Sequence, residues 1–177
     1  ASTPGATGSP TLLLSKSHRA YTALITLPAP PDSTNSQGLA LPPLELLFIK
    51  PRALMNISGP PILSAAAAFL PSPLPTYRVV TLQDDLDLPS LSHKLQRGGS
   101  PRGHNGVRSM EKALGTREFY RVRLGVGRPE RKEQVAAWVM GALERDDVRA
   151  CEYEDGKSGE LVRKVWEEVL RIGWAED

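Results

Sequence analysis

Apolar positions along this chain fall into short runs with two different periods. Arg19 to Leu27 (RAYTALITL) is rich in β-formers and predicts a strand, and the PAPPDSTNSQG stretch after it predicts a loop. Leu44 to Ile49 (LELLFI) is a compact apolar run bounded by prolines, which predicts a strand buried on both faces. Gly59, Pro60 and Pro61 open a helix that continues through SAAAAFL, since proline is tolerated in a first helical turn. Tyr77 to Leu82 (YRVVTL) predicts another strand, running into an acidic cluster. Val107, Met110 and Leu114 recur at helical spacing, with Gly115 as a stop. Phe119 to Val126 (FYRVRLGV) alternates, which sets Tyr120, Val122, Leu124 and Val126 on one face and Arg121 with Arg123 on the other. A helix containing Val135, Trp138 and Val139 follows, and one containing Leu161, Val165 and Val169 closes the chain. Strands interleaved with helices predict an α/β sandwich around one sheet.

Composition narrows the class. A chain of 177 residues, 40% of them hydrophobic, is long enough for one domain with a sizeable core. The opening ASTPGATGSP carries no charge, so residues 1–15 are expected to be a flexible lead-in to a domain over 16–177. Cys151 is the single cysteine, which excludes an internal disulfide, and no zinc-type Cys/His spacing occurs. A reducing compartment fits that usage. No apolar stretch approaches the roughly 20 residues that span a bilayer, so no membrane partner is expected. The net charge of +2 conceals an asymmetry: His93 to Lys132 holds eleven Lys/Arg against three Asp/Glu, whereas Glu133 to Asp177 holds six against twelve. A basic middle raises the expectation of an anionic partner such as RNA, against the plainer reading of a solvated charged surface.

Three polar clusters stand at the ends of predicted elements: Met55-Asn56, Asp84-Asp85-Leu86-Asp87, and Gly98 to Gly106 (GGSPRGHNG). Each has a structural reading as well as a chemical one. Asn105 precedes a helix and can cap it; the aspartates suit a solvated turn or a weak cation site; His104 suits packing beside a cleft, and Met55 suits a core.

Taken with their flanks, these clusters match a family pattern. KPRALMNISG is similar to K-P-x-x-x-M-N-x-S-G, DDLDLP to D-D/E-L-D-L-P, GGSPRGHNGVRS to G-G-x-x-G-H-N-G-L/V-K/R-S, and FYRVRLGVGRP to F-x-R-L/V-R/K-I/L-G-I/V-G-R-P. Four motifs in order, over Lys50 to Pro129, resemble the bacterial-type peptidyl-tRNA hydrolases. That resemblance implies a single-domain α/β sandwich, a mixed and mostly parallel sheet with helices on both faces. It also implies hydrolysis of the ester joining a peptide or N-blocked amino acid to tRNA, by a water that a histidine deprotonates, with no cofactor and no metal. Carried over by motif, Asp84 is the carboxylate that orients the histidine. Asn56 and Asn105 are the amides at the reacting centre, where an amide offers donor and acceptor without charge. Met55, Gly103 and His104 line the substrate site, and Arg97 with Arg123 form a clamp on a tRNA phosphate.

The family's opening strand, its G-N-P-G turn and the T-R-H-N/S-x-G segment with the catalytic histidine have no counterpart here. His18, in SKSHRAYTALITL, stands where the second strand of the family begins and is not given the role of the base. A gap ending neatly before a normal second strand, with Asn56, Asp84 and Asn105 retained, favours an enzyme recorded incompletely over a non-catalytic relative. The alternative is a module that binds tRNA or a ribosome without turnover. A third class, a metal-dependent hydrolase built on the aspartates, predicts inhibition by chelators. The Pro/Ala-rich loop and the wording LMNISGPP resemble eukaryotic, fungal members, so the mitochondrion, or else the cytoplasm, is expected; the family resemblance itself implies a monomer.

Overall fold

The structure is a computed structural model that describes residues 12–70, 74–154 and 157–175. These fall into two compact units interleaved along the chain. The first lies within Ala1–Thr76, Ser100–Arg117 and Gly173–Asp177, the second within Tyr77–Gly99 and Glu118–Ile172.

The first unit is built on an antiparallel sheet in the order β1 (Leu13–Ser15), β2 (Ala20–Leu27), β3 (Leu44–Pro51). The lead-in expected over residues 1–15 is therefore wrong at its end: Leu13 to Ser15 pair with Thr22 to Ala20 across a tight turn. Residues 1–11 lie outside the described residues. Strand β3 is not buried on both faces as expected. Among the described residues α1 is the helix packed on it, and Phe48 stands 38% exposed. Helix α1 (Gly59–Phe69) packs on β2 and β3 through Ala65 and Ala66, and on α2 (Asn105–Leu114) through Gly59. Gly115 ends α2 at φ 69°, the left-handed conformation that makes glycine the usual stop.

The second unit holds a mixed sheet in the order β4 (Val80–Asp85), β6 (Tyr120–Gly125), β5 (His93–Arg97). Strand β4 begins three residues later than expected and runs into the aspartates, because its parallel register with β6 continues to Asp85 opposite Gly125. Helices α3 (Val135–Met140), α4 (Arg145–Cys151) and α5 (Glu160–Gly173) follow. A short antiparallel pair, β7 (Tyr153–Glu154) and β8 (Lys157–Ser158), precedes α5. Val122, Leu161 and Val165 form the core of this unit, with Val80, Leu95, Leu124 and Ala150 packed around them.

The α/β class holds, and a sheet that is mostly parallel does not. Among the described strands only β4 and β6 run parallel. Parallel neighbours require a long crossover. The other pairs are joined by loops or turns, or lie antiparallel, and β3 and β4, which α1 connects, belong to different sheets.

Candidate active site

The Met55–Ile57 segment is a single 3-10 turn ahead of α1, closed by the Ser58 hydroxyl, which donates to the Met55 carbonyl at 2.8 Å. The glycine-rich segment ends in a second turn, where Arg102 and Gly103 both take positive φ (48° and 88°) and deliver the chain to α2. These two turns are packed together. A Cβ on Gly106 would stand 2.9 Å from Met55 Cγ and 3.0 Å from His104 Cε1, so only glycine lets Met55 close over the start of α2. The Gly59 amide donates to Ser109 Oγ at 2.9 Å and ties the two helices at the same end.

Within this first unit the structure brings Met55 and Asn56 beside Gly103, His104 and Asn105. Both asparagines are exposed, and Met55 is 47% exposed, so it is not a core residue. The cap of α2 is His104 and not Asn105: Nδ1 of His104 accepts the Val107 amide at 3.2 Å, which requires that nitrogen to be unprotonated. The Asn105 side-chain oxygen accepts from Arg108 Nη1 at 3.3 Å. That bond directs the amide oxygen to a cation and keeps the nitrogen as the donor half. His18 is turned to other work, its Nδ1 lying 2.8 Å from Ser64 Oγ on α1.

Asp84, Arg97 and Arg123 belong to the second unit. Asp84 lies at the end of β4 on the face of Leu124, at the rim of a cavity of about 150 Å³ walled by Leu91, Leu143, Cys151 and Leu161. Its two acidic neighbours are engaged with arginines. Asp85 accepts from Arg123 Nε at 2.5 Å and from the Asp87 amide at 2.8 Å, and Asp87 pairs with Arg128 at 2.7 Å. A cation site on these aspartates has no support in that arrangement. Among the described residues no group of three or more His, Cys, Asp or Glu is placed to hold a metal.

The expected phosphate clamp is not formed. Register sets Arg97 opposite Tyr120, on the face of Val122, and its guanidinium lies 5.8 Å over the Tyr120 ring. Arg123 is opposite Lys94, on the other face. The alternation read along β6 is right, but its arginine face is not solvated: Arg121 is 2% and Arg123 3% exposed. Arg97, with half its side chain exposed and Glu118 3.9 Å away, is the member of the pair that solvent reaches. Residues that the motifs left without a role, Asp85 and Gln96, turn out to hold this interior. A hint lies in the pattern itself, with acids and amides on strands that neighbour two arginines at period two.

Two loops linked to helices carry exposed amides in one unit of this α/β protein, and a strand of the other carries an aspartate near its end. A family model described as peptidyl-tRNA hydrolase matches residues 33–171, so the chain belongs to the peptidyl-tRNA hydrolase family. Among curated relatives it is 37% identical over 124 residues to the peptidyl-tRNA hydrolase of Nocardia farcinica, covering 68% of this chain and 63% of that one. It is 42% identical over 103 residues to that of Granulibacter bethesdensis, covering 58% and 52%. The chain thus spans between about half and two thirds of the length of such relatives. A solved peptidyl-tRNA hydrolase from Acinetobacter baumannii has the same fold, with a TM-score of 0.62 at 21% identity over 95% of this chain and 79% of that one.

Proposed function

We propose that the chain carries the peptide-ester-binding and oxyanion-stabilising parts of a peptidyl-tRNA hydrolase, acting on the ester between an N-blocked amino acid or peptide and tRNA. The observation that supports this is the packing of the Met55–Ile57 turn against the start of α2, two neighbouring segments that each carry an exposed amide, Asn56 and Asn105. When water adds to the ester carbonyl, negative charge collects on its oxygen, and preorganised N–H donors stabilise it. Asn105 is suited to that task twice over. Its amide nitrogen is a donor while its oxygen is held by Arg108, and it stands in the first turn of α2, where backbone N–H groups lack helical partners. Met55, half exposed beside it, offers an apolar, adaptable surface to the peptide. Asp84 is proposed as the carboxylate that orients the basic imidazole. None of His18, His93 and His104 is assigned the base's role, and each has a structural neighbour: Ser64, Glu168 and the Val107 amide. Arg97 is proposed to meet tRNA phosphate. A location in the mitochondrion or cytoplasm is proposed on the loop and motif wording alone, and a monomer on family membership.

The test is release of the N-blocked amino acid from acylated tRNA, measured for the unaltered chain and for Asp84→Ala, with and without chelator. Turnover that falls on the order of 10²-fold or more in the variant and ignores chelator supports the reading. Turnover indifferent to Asp84 contradicts it. tRNA bound tightly without turnover, and without rescue by added imidazole in place of the base, would favour the RNA-binding alternative.

A further inference from the structure

A second group of cations, outside the basic middle of the chain, gathers at one end of the first sheet. Lys16 and Arg19 lie in the turn that joins β1 to β2, and Lys50 and Arg52 lie where β3 ends. Arg52 falls at a variable position of its motif, and Lys16 and Arg19 fall outside all four. The Arg19 carbonyl accepts from the Arg52 amide at 2.9 Å, which ties the turn to the strand end. Register sets Tyr21 between Leu14 on β1 and Lys50 on β3, and sets Phe48 in the next row of the same face, opposite Ala23. The Arg52 guanidinium lies 6.0 Å over the Tyr21 ring. On the reverse face at this end Ala20 and Thr22 are buried, whereas the four cations and Phe48 are exposed and Tyr21 is half-buried.

Among the described residues no ion pair joins Lys16, Arg19, Lys50 or Arg52 to a carboxylate. The one acid on these strands, Glu45, stands opposite Thr26 at the far end of the sheet. Like charges gathered in this way repel one another, and an anion relieves the repulsion. Two aromatic rings among the cations narrow the choice of anion. A free phosphate has no use for a ring, whereas a single nucleic-acid strand offers phosphates to the cations and bases to stack on the aromatic face.

We propose that this end of the sheet binds a single RNA strand, with Lys16, Arg19, Lys50 and Arg52 on its phosphates and Tyr21 as a stacking surface for a base, and that the strand is the unpaired 3′ end of tRNA. The choice of strand rests on the hydrolase reading above: shortly beyond Arg52 the chain enters the Met55–Ile57 turn with Asn56, so the nucleotides next to the ester run past these cations. Such contacts hold the strand in place and read no sequence.

The experiment measures Kd over a salt series for two probes, deacylated tRNA and the same tRNA trimmed of its unpaired 3′ nucleotides. The proteins are the full chain and its Lys50→Gln, Arg52→Gln and Tyr21→Leu variants, each checked for an unchanged urea midpoint. Lys50→Gln and Arg52→Gln are each expected to weaken binding of intact tRNA and to make the log–log salt slope shallower by roughly 0.7, the loss of one phosphate contact on a single strand. Tyr21→Leu is expected to weaken it about fivefold or more with the slope unchanged. On trimmed tRNA all four proteins are expected to bind alike. Unchanged Kd and slope in folded Lys50→Gln and Arg52→Gln would overturn the proposal even if Tyr21→Leu fails to fold. An equal loss on both probes would overturn it too, by moving the contact to the paired part of the tRNA. Intact tRNA binding in variants that no longer bind phosphatidylserine vesicles would overturn it in favour of a membrane contact. Absent turnover by the unaltered chain would count against the hydrolase reading alone, since both probes are deacylated and still decide whether this surface holds the 3′ end.

Discussion

Gly59 has no side chain because the Ser109 carbonyl and the Ala113 methyl occupy the space a Cβ would need, the latter at 2.9 Å. Backbone cannot give way as a flexible side chain does, so Gly59→Ala must separate α1 from α2 and spread the two turns that bear Asn56 and Asn105. A loss of about 1–3 kcal/mol is expected for such overpacking, read as a lower urea midpoint with an unchanged slope. Cys151 gives a second prediction at this scale. Burial, and after it the charge of Asp147, push its thiol above the ordinary value. At about pH 8 it should therefore react with iodoacetamide more slowly than a free thiol and gain reactivity as pH rises, because the thiolate is the nucleophile. The same shift means its contribution to stability is present at lower pH and is lost as pH rises through the folded-state value.

Among the elements, α5 lies on the apolar face of the β4–β6–β5 sheet through Leu161 and Val165. Leu161→Ala is expected to cost about 2–5 kcal/mol, the range for large-to-small changes in a core, and to lower the thermal midpoint accordingly. Helices α1, α2 and α5 and strands β2 and β6 were legible in the chain because their apolar residues repeat at one clear period and because Pro60, Pro61 and Gly115 mark their ends. Strand β5 was not. HKLQR has one aliphatic residue, Leu95, and its polar residues are used inside, Gln96 on Arg123, so the strand carries no hydrophobic alternation to find. Burial of the arginine face of β6 was likewise not legible, because it depends on a carboxylate on the neighbouring strand. Strand β1 was lost in a lead-in whose composition is dominated by Ser, Thr, Pro and Gly, three residues being too short for a period to show.

For the whole molecule, the four motifs placed the chain in its family and identified the two loops that the structure packs together. They did not foretell which cations are free. That depends on strand register, since Arg97 and Arg123 read alike in sequence and lie on opposite faces. The basic middle of the chain, eleven Lys/Arg against three Asp/Glu, is thus partly consumed by internal pairs. Binding to tRNA should weaken with salt less steeply than a count of those cations suggests, as a titration from low to moderate salt would measure. The most direct test of the proposed centre is single-turnover release of an N-blocked amino acid from tRNA by the unaltered chain, Asn56→Ala and Asn105→Ala, with Kd for tRNA measured on the same proteins. The account predicts that loss of the Asn105 amide slows release on the order of 10²-fold, as removal of an oxyanion donor does, while Kd stays within about twofold. Release at an undiminished rate by both folded variants would contradict it.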